Sequence, residues 1–238
     1  MKIDKNDPKQ RLILALDVPN LDDAKHLLDK VQGRVGLVKV GLELFTACGP
    51  DAVKAVLERD INVFLDLKLH DIPATVAGAV ASANALNVSM LTVHTGGAGE
   101  MLRQAEKTSG KDMTILGVTL LTSMGDDDIA PVSLQGTPKE IVLKRALLAK
   151  ECGLGGIVCS PNEVAEVRKI VGSEMILVTP GIRPAGASMG DQKRAATPAS
   201  AISDGADFLV VGRPIKSAAN PAEAADMIVA EIAAALNL

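Results

Sequence analysis

Five charged residues punctuate otherwise aliphatic segments of this 238-residue chain. Asp17 closes Ala15-Leu16-Asp17, and Lys39 interrupts Leu37-Val38-Lys39-Val40. Asp66, Lys68 and Asp71 fall within Val63-Phe64-Leu65-Asp66-Leu67-Lys68-Leu69-His70-Asp71. This set suits a reaction in which negative charge develops on a bound molecule. A fixed ammonium can face that charge and donate a proton to it, while carboxylates hold the ammonium in place. Side chains alternate across a strand, so Phe64, Asp66 and Lys68 share one face, and Val63, Leu65, Leu67 and Leu69 the other. Burying such charges costs several kcal/mol per ion unless they are paired. Taken singly, any of these residues could belong to a structural ion-pair network. Apolar side chains would serve stability equally well, so the convergence reads as functional.

A second group suits an anion. Phe208-Leu209-Val210-Val211 runs into Gly212-Arg213-Pro214-Ile215, and Thr179-Pro180-Gly181-Ile182-Arg183-Pro184 is followed by Gly190-Asp191-Gln192. A glycine lets the backbone approach a phosphate and arginine adds a two-pronged fork; alone, Gly-Arg after a strand is also an ordinary turn. Gly96-Gly97-Ala98-Gly99 reads as a turn with positive φ rather than a phosphate cradle. His94 reads as a hydrogen-bonded structural histidine, and His26, His70 and His94 lack zinc-ligand spacing. Walker and dinucleotide-binding fingerprints are absent.

These residues need a scaffold that gathers strand ends. Apolar runs at Leu12–Leu16, Leu37–Val40, Val63–Leu69, Met90–His94, Thr114–Thr119, Gly156–Cys159, Met175–Thr179 and Phe208–Val211 predict eight strands. Helical patterns separate them: Leu21–Val31, Ala52–Arg59, Thr75–Leu86, Glu100–Thr108, Lys139–Glu151, Asn162–Ile170 and Pro198–Ser203, with Pro221–Leu236 closing the chain. Such alternation implies a parallel sheet covered by helices. Eight repeats in 238 residues, close to the roughly 250 typical of the architecture, fit an α/β fold of the (β/α)8 TIM-barrel type, in a single domain spanning residues 1–238, with residues 1–10 loosely ordered. The long connections Leu120–Pro138 and Pro180–Thr197 follow strands, so they fall on the face where barrel enzymes keep their chemistry, as candidate lids.

Composition narrows the partners. Three Phe, no Trp and no Tyr leave no stacking platform for single-stranded nucleic acid, and 25 basic against 29 acidic residues give a net charge of −4. Neither nucleic acid nor an anionic membrane is expected. Met1–Gln10 lacks a signal peptide's apolar stretch, no run is long enough to cross a bilayer, and Cys48, Cys152 and Cys159 form no CxxC, which together predict a cytoplasmic protein with reduced thiols.

The run Phe64-Leu65-Asp66-Leu67-Lys68-Leu69-His70-Asp71-Ile72-Pro73 resembles the orotidine 5′-phosphate decarboxylase family in its shorter bacterial form. Supporting matches are Ala15-Leu16-Asp17, Leu37-Val38-Lys39-Val40-Gly41, Leu121-Thr122-Ser123-Met124, Val178-Thr179-Pro180-Gly181-Ile182-Arg183-Pro184 and Val211-Gly212-Arg213-Pro214. The resemblance covers roughly Leu12 to Val229 and implies decarboxylation of orotidine 5′-monophosphate (OMP) to uridine 5′-monophosphate (UMP), without cofactor or metal, as the last step of de novo pyrimidine synthesis. It further implies that Lys39, Asp66, Lys68 and Asp71 form the catalytic array, in a homodimer whose Asp71 and Thr75 reach the partner's site. Asp17 would bind ribose, Thr122 and Ser123 would sit near the pyrimidine, and Arg183, Gln192, Gly212 and Arg213 would hold the phosphate. Two rivals share the fold: a metal-dependent hexulose-phosphate synthase or keto-gulonate-phosphate decarboxylase, and a non-catalytic phosphate-binding barrel.

Overall fold

The computed structural model describes residues 4, 6–184 and 196–237. Eight parallel strands close into a barrel in sequence order: β1 (Leu12–Ala15), β2 (Leu37–Gly41), β3 (Asn62–Leu69), β4 (Met90–His94), β5 (Thr114–Val118), β6 (Gly156–Val158), β7 (Ile176–Thr179) and β8 (Phe208–Val211). β8 pairs with β1 through Leu12–Leu209, Ile13–Val210 and Leu14–Val211, so the sheet has no free edge.

Around it lie α1 (Leu21–Val31), α2 (Leu42–Cys48), α3 (Pro50–Leu57), α4 (Pro73–Ala85) and α5 (Ala98–Thr108). The second half adds α6 (Pro138–Glu151), α7 (Val164–Val171), α8 (Pro198–Ser203), α9 (Arg213–Lys216) and α10 (Pro221–Ala235). Local chemistry sets their starts. Asn20 accepts a hydrogen bond from the Asp23 amide, Thr137 and Glu140 form a reciprocal capping box, and proline opens α3, α4, α6, α8 and α10. These residues satisfy or remove the amides that a first helical turn leaves unpaired.

Strand alternation sorts the core into two shells. Ile13, Ala15, Leu37, Phe64, Met90, Leu116, Val178, Phe208 and Val210 fill the barrel's interior. Their neighbours in sequence, such as Leu12, Leu14, Val38, Val63 and Leu91, face the helices. Two of the three phenylalanines lie in the inner shell and the third, Phe45, packs on the outer one. At the strand-start end, the buried Asp207 carboxylate accepts from Arg168 at 2.6 Å and from the Leu177 amide at 2.9 Å, tying α7, β7 and the entry to β8.

The predicted strands are present, with ends shifted by about one residue, and three local readings change. Residues 8–10, grouped with a loose amino terminus, belong to a 3-10 turn, Pro8–Arg11, because Pro8 presets the backbone and Asp7 accepts from the Lys9 amide. α2 was not anticipated: it has seven residues with only Leu44 buried, too short to display a helical stripe. In the Gly96–Gly99 segment the positive φ falls on Ala98, not on a glycine. Gly97 is instead needed for packing, since a Cβ there would lie 2.1 Å from the Met101 sulfur.

Candidate active site

The charged residues of β2 and β3, and Asp17 two residues past the end of β1, meet at the barrel mouth. Lys39 Nζ donates to Asp17 Oδ1 at 2.9 Å and lies 3.7 Å from Asp66 Oδ2. Lys68 Nζ stands 2.9 Å from each oxygen of Asp66. Lys39 is 9% exposed and Asp66 8%, so both ions have left most of their water and depend on one another for compensation. The four side chains form an alternating series: Asp17, Lys39, Asp66, Lys68.

Two small features hold this series. Gly41 is in register with Asp66, and a Cβ on Gly41 would stand 2.7 Å from Lys39 Nζ and 3.0 Å from Asp17 Oδ1. Its bare backbone leaves the space that the ion pair occupies. On the other flank, β3 departs from simple alternation. Leu65 pairs with Leu91 and Leu69 with Val93, so Asp66, Leu67 and Lys68 together face the single residue Thr92. Lys68 adopts φ +50°, a left-handed conformation that L-residues adopt at a cost of roughly 1–2 kcal/mol. The Lys68 amide donates to the Thr92 hydroxyl at 2.8 Å, and that hydroxyl donates to Asp66 Oδ1 at 2.9 Å.

The mouth opens into two adjoining lobes. One, of about 160 Å³, is lined by Lys39, Phe64, Asp66, Lys68, Thr122 and neighbouring apolar residues. The other, of about 190 Å³, is lined by Asp17, Lys39, Gly181, Arg183, Gly212, Arg213 and Lys216. Lys39, Pro180 and Val210 line both, so the lobe of Lys68 adjoins the lobe of Arg213. The first lobe is walled mostly by carbon around Lys39, Asp66, Lys68 and Thr122, the second by four cations, Asp17 and the glycine backbone of Gly181 and Gly212. That division suits a flat polar ring at one end and a phosphate at the other. The stems of the strand 7 connection are stitched beside it: the Arg183 amide donates to the Ala196 carbonyl at 2.9 Å, and the Ala196 amide to the Gly181 carbonyl at 3.3 Å.

Residues 10–228 match the model of the orotidine 5′-phosphate decarboxylase / HUMPS family. The chain belongs to that family. The orotidine 5′-phosphate decarboxylase of Anaeromyxobacter sp. (strain K) is 51% identical over 223 residues, covering 94% of this chain and 98% of its own. That of Trichlorobacter lovleyi is 44% identical over 236 residues, covering 97% and 98%. The crystal structure of orotidine 5′-phosphate decarboxylase from Lactobacillus acidophilus superposes with a TM-score of 0.83 at 35% identity, covering 93% of this chain and 98% of that one.

Against the site expected from the family, Asp17, Lys39, Asp66, Lys68, Thr122, Arg183, Gly212 and Arg213 all line the cleft. Ser123 is exposed just beyond it. Asp71 and Thr75 are exposed and border a separate hollow of about 310 Å³ with Leu67, Lys68 and His70; the Asp71 carboxylate accepts from the Ile72 amide. Gln192 lies outside the described residues. Three participants in the geometry were not singled out from sequence. Thr92 had a signal as a polar residue two positions after the inward Met90, and Lys216 as a cation three residues after Arg213 on α9. Gly41 sat inside a quoted motif without a role. Lys216 Nζ donates to the Asp17 carbonyl, which ties α9 to the segment after β1 within the second lobe.

His94 behaves as a structural residue. Its Nδ1 accepts from the Gly96 amide at 3.3 Å, and its ring stacks on His70 with centroids 5.3 Å apart. Burial, then the charge of Arg145 and the nearby His70 and Lys68, pull its pKa down to about 4, so the imidazole is neutral near pH 7.

Proposed function

We propose that this protein decarboxylates OMP to UMP without cofactor or metal, in the last step of de novo pyrimidine synthesis, with Lys68 as proton donor. The observation that carries the reading is the Lys68 ammonium, paired with Asp66 and opening onto a lobe that adjoins the lobe of Arg213 through Lys39, Pro180 and Val210. The phosphate would sit against Arg213, Gly212 and Arg183, with Gln192 completing that end, the ribose would reach Asp17 and Lys39, and the pyrimidine would lie over Phe64 near Thr122 and Ser123. When the bond from C6 to the carboxylate breaks, CO2 departs and the electron pair stays on C6 in the ring plane, where π delocalisation cannot spread it. Lys68 Nζ would face that pair and pass it a proton, leaving UMP and a neutral amine that regains its proton from solvent. Fixed charge in a site shielded from water is commonly the largest catalytic contribution, because it needs no reorganisation during the reaction. Binding energy from the remote phosphate would hold the ring in register.

The exposure of Asp71 and Thr75 on one chain supports a homodimer in which both reach the partner's cleft, where Asp71 would flank Lys68 from its open side. No described helix is long and apolar enough to cross a membrane, in keeping with a cytoplasmic enzyme.

The metal-dependent members of the fold are the main rival. Here an ammonium, Lys39 Nζ, stands between Asp17 and Asp66, where it would repel a divalent cation. Incubation with OMP, followed by its ultraviolet loss, tests the activity directly. Loss at a rate unchanged by EDTA is expected; no loss, or loss abolished by EDTA and restored by Mg2+, would overturn the reading.

A further inference from the structure

Thr92 is fully buried at 0% exposure on β4 and lines neither lobe of the cleft. A hydroxyl in that position costs roughly 1–3 kcal/mol unless bonded, so its partners indicate what it is for. The Lys68 amide can only donate, so Thr92 Oγ1 must accept from it; the single hydroxyl proton is then committed to Asp66 Oδ1. One side chain therefore grips the two members of the ion pair at different points: Asp66 by its carboxylate and Lys68 by its backbone. The register explains why a side chain is required. With three residues of β3 opposite one of β4, the threonine hydroxyl meets the Lys68 amide where regular pairing is interrupted. It also secures a left-handed residue, a conformation that persists only where its surroundings over-determine it.

We propose that Thr92 is a positioning residue for the decarboxylation step: it locks the β3 bulge and, through it, the Lys68 ammonium relative to Asp66. This rests on the decarboxylase reading for its catalytic consequence but not for its structural one. Thr92→Val keeps the shape and removes both hydrogen bonds, whereas Thr92→Ser keeps both. Displacing a catalytic group by about 1 Å costs on the order of 10²-fold in rate. Thr92→Val should lose that order of kcat, while KM and the affinity for UMP, anchored in the Arg213 lobe, change by less than about threefold. Thr92→Ser should return kcat to within about fivefold of the parent, and Thr92→Cys, a weak donor and acceptor, should fall between.

The structural arm reads amide hydrogen exchange over residues 64–72. Protection of the Lys68 amide should fall in Thr92→Val and persist in Thr92→Ser. A Thr92→Val enzyme with parental kcat overturns the proposal, as do unchanged exchange protection or a Ser variant as impaired as the Val one. If Thr92→Val does not fold, the Ser and Cys variants decide, and equal kcat in those two overturns it. A parent enzyme that fails to decarboxylate OMP sinks the functional reading instead, and exchange then still judges the clamp.

Discussion

The ammonium of Lys68 is equidistant from the two carboxylate oxygens of Asp66, at 2.9 Å from each, although the residues are only two apart on one strand. In a regular strand both would project in parallel; here the bulge bends the lysine back over its neighbour. The pair is an intrastrand clasp facing the cleft.

Removing the lysine tests the chemistry. Lys68→Ala is expected to fold and to bind UMP, because the phosphate lobe is untouched, and to lose at least ~10³-fold in kcat/KM, beyond a single preorganised donor's usual effect. Asp66 keeps Thr92 and a more distant Lys39, so the stability loss should stay near or below the 3–5 kcal/mol of a broken buried pair. Steady-state kinetics, ligand titration and chemical denaturation check these. Turnover within tenfold of the parent would refute Lys68 as proton donor.

Gly41→Ala tests the space around Lys39. The new methyl would overlap the ammonium at 2.7 Å, and the flexible lysine rather than the backbone would yield. The variant should keep its fold, with a stability loss of at most the roughly 3–5 kcal/mol of a broken buried pair, while kcat/KM falls by about 10- to 100-fold, since shifts of this size at a reacting centre are costly. An unchanged kcat/KM would show that the Lys39–Asp17 pair need not be fixed.

Arg213→Ala separates phosphate binding from chemistry. Loss of a charge-assisted fork at the anion end should weaken UMP by about 10- to 100-fold, corresponding to about 1.4–2.7 kcal/mol. Affinity for uridine, which carries no phosphate, should be unaltered. Equal losses for both ligands by calorimetry would contradict a phosphate role.

His94 gives the fold a dependence on pH whose sign is set by its lowered pKa. The folded ring titrates at about 4 and the unfolded one near 6.5, so on acidification the unfolded chain takes up the proton first. This contribution is present in full above about pH 6.5, shrinks as pH falls, and is gone below about 4. After allowance for solvent screening of a half-buried ring it is on the order of 1–2 kcal/mol. His94→Asn, which can still accept from Gly96, should lose less stability than the parent between pH 7 and pH 5 in urea unfolding. Identical losses would rule out this origin.

The barrel and much of its mouth were readable from sequence because both obey short-range rules. Strands of period two separated by capped helices announce the fold, and charges inside aliphatic runs announce inward-facing ions. The features that escaped depend on relations that pattern does not encode. Thr92 matters only because β3 and β4 slip relative to one another, and Lys216 because a four-residue helix turns it back over Asp17. Asp71 and Thr75 illustrate the opposite case. Asp71, inside the family motif, and Thr75, just beyond it, are expected at the reacting centre, yet within one chain they border another hollow.

The three-against-one arrangement on β3 also makes the length of that strand non-negotiable. Because three residues of β3 stand opposite Thr92, deleting any one residue between Leu65 and Leu69 breaks that count and brings Leu69 to the place of the cation. A single-codon deletion here would therefore remove the cation and the clasp together.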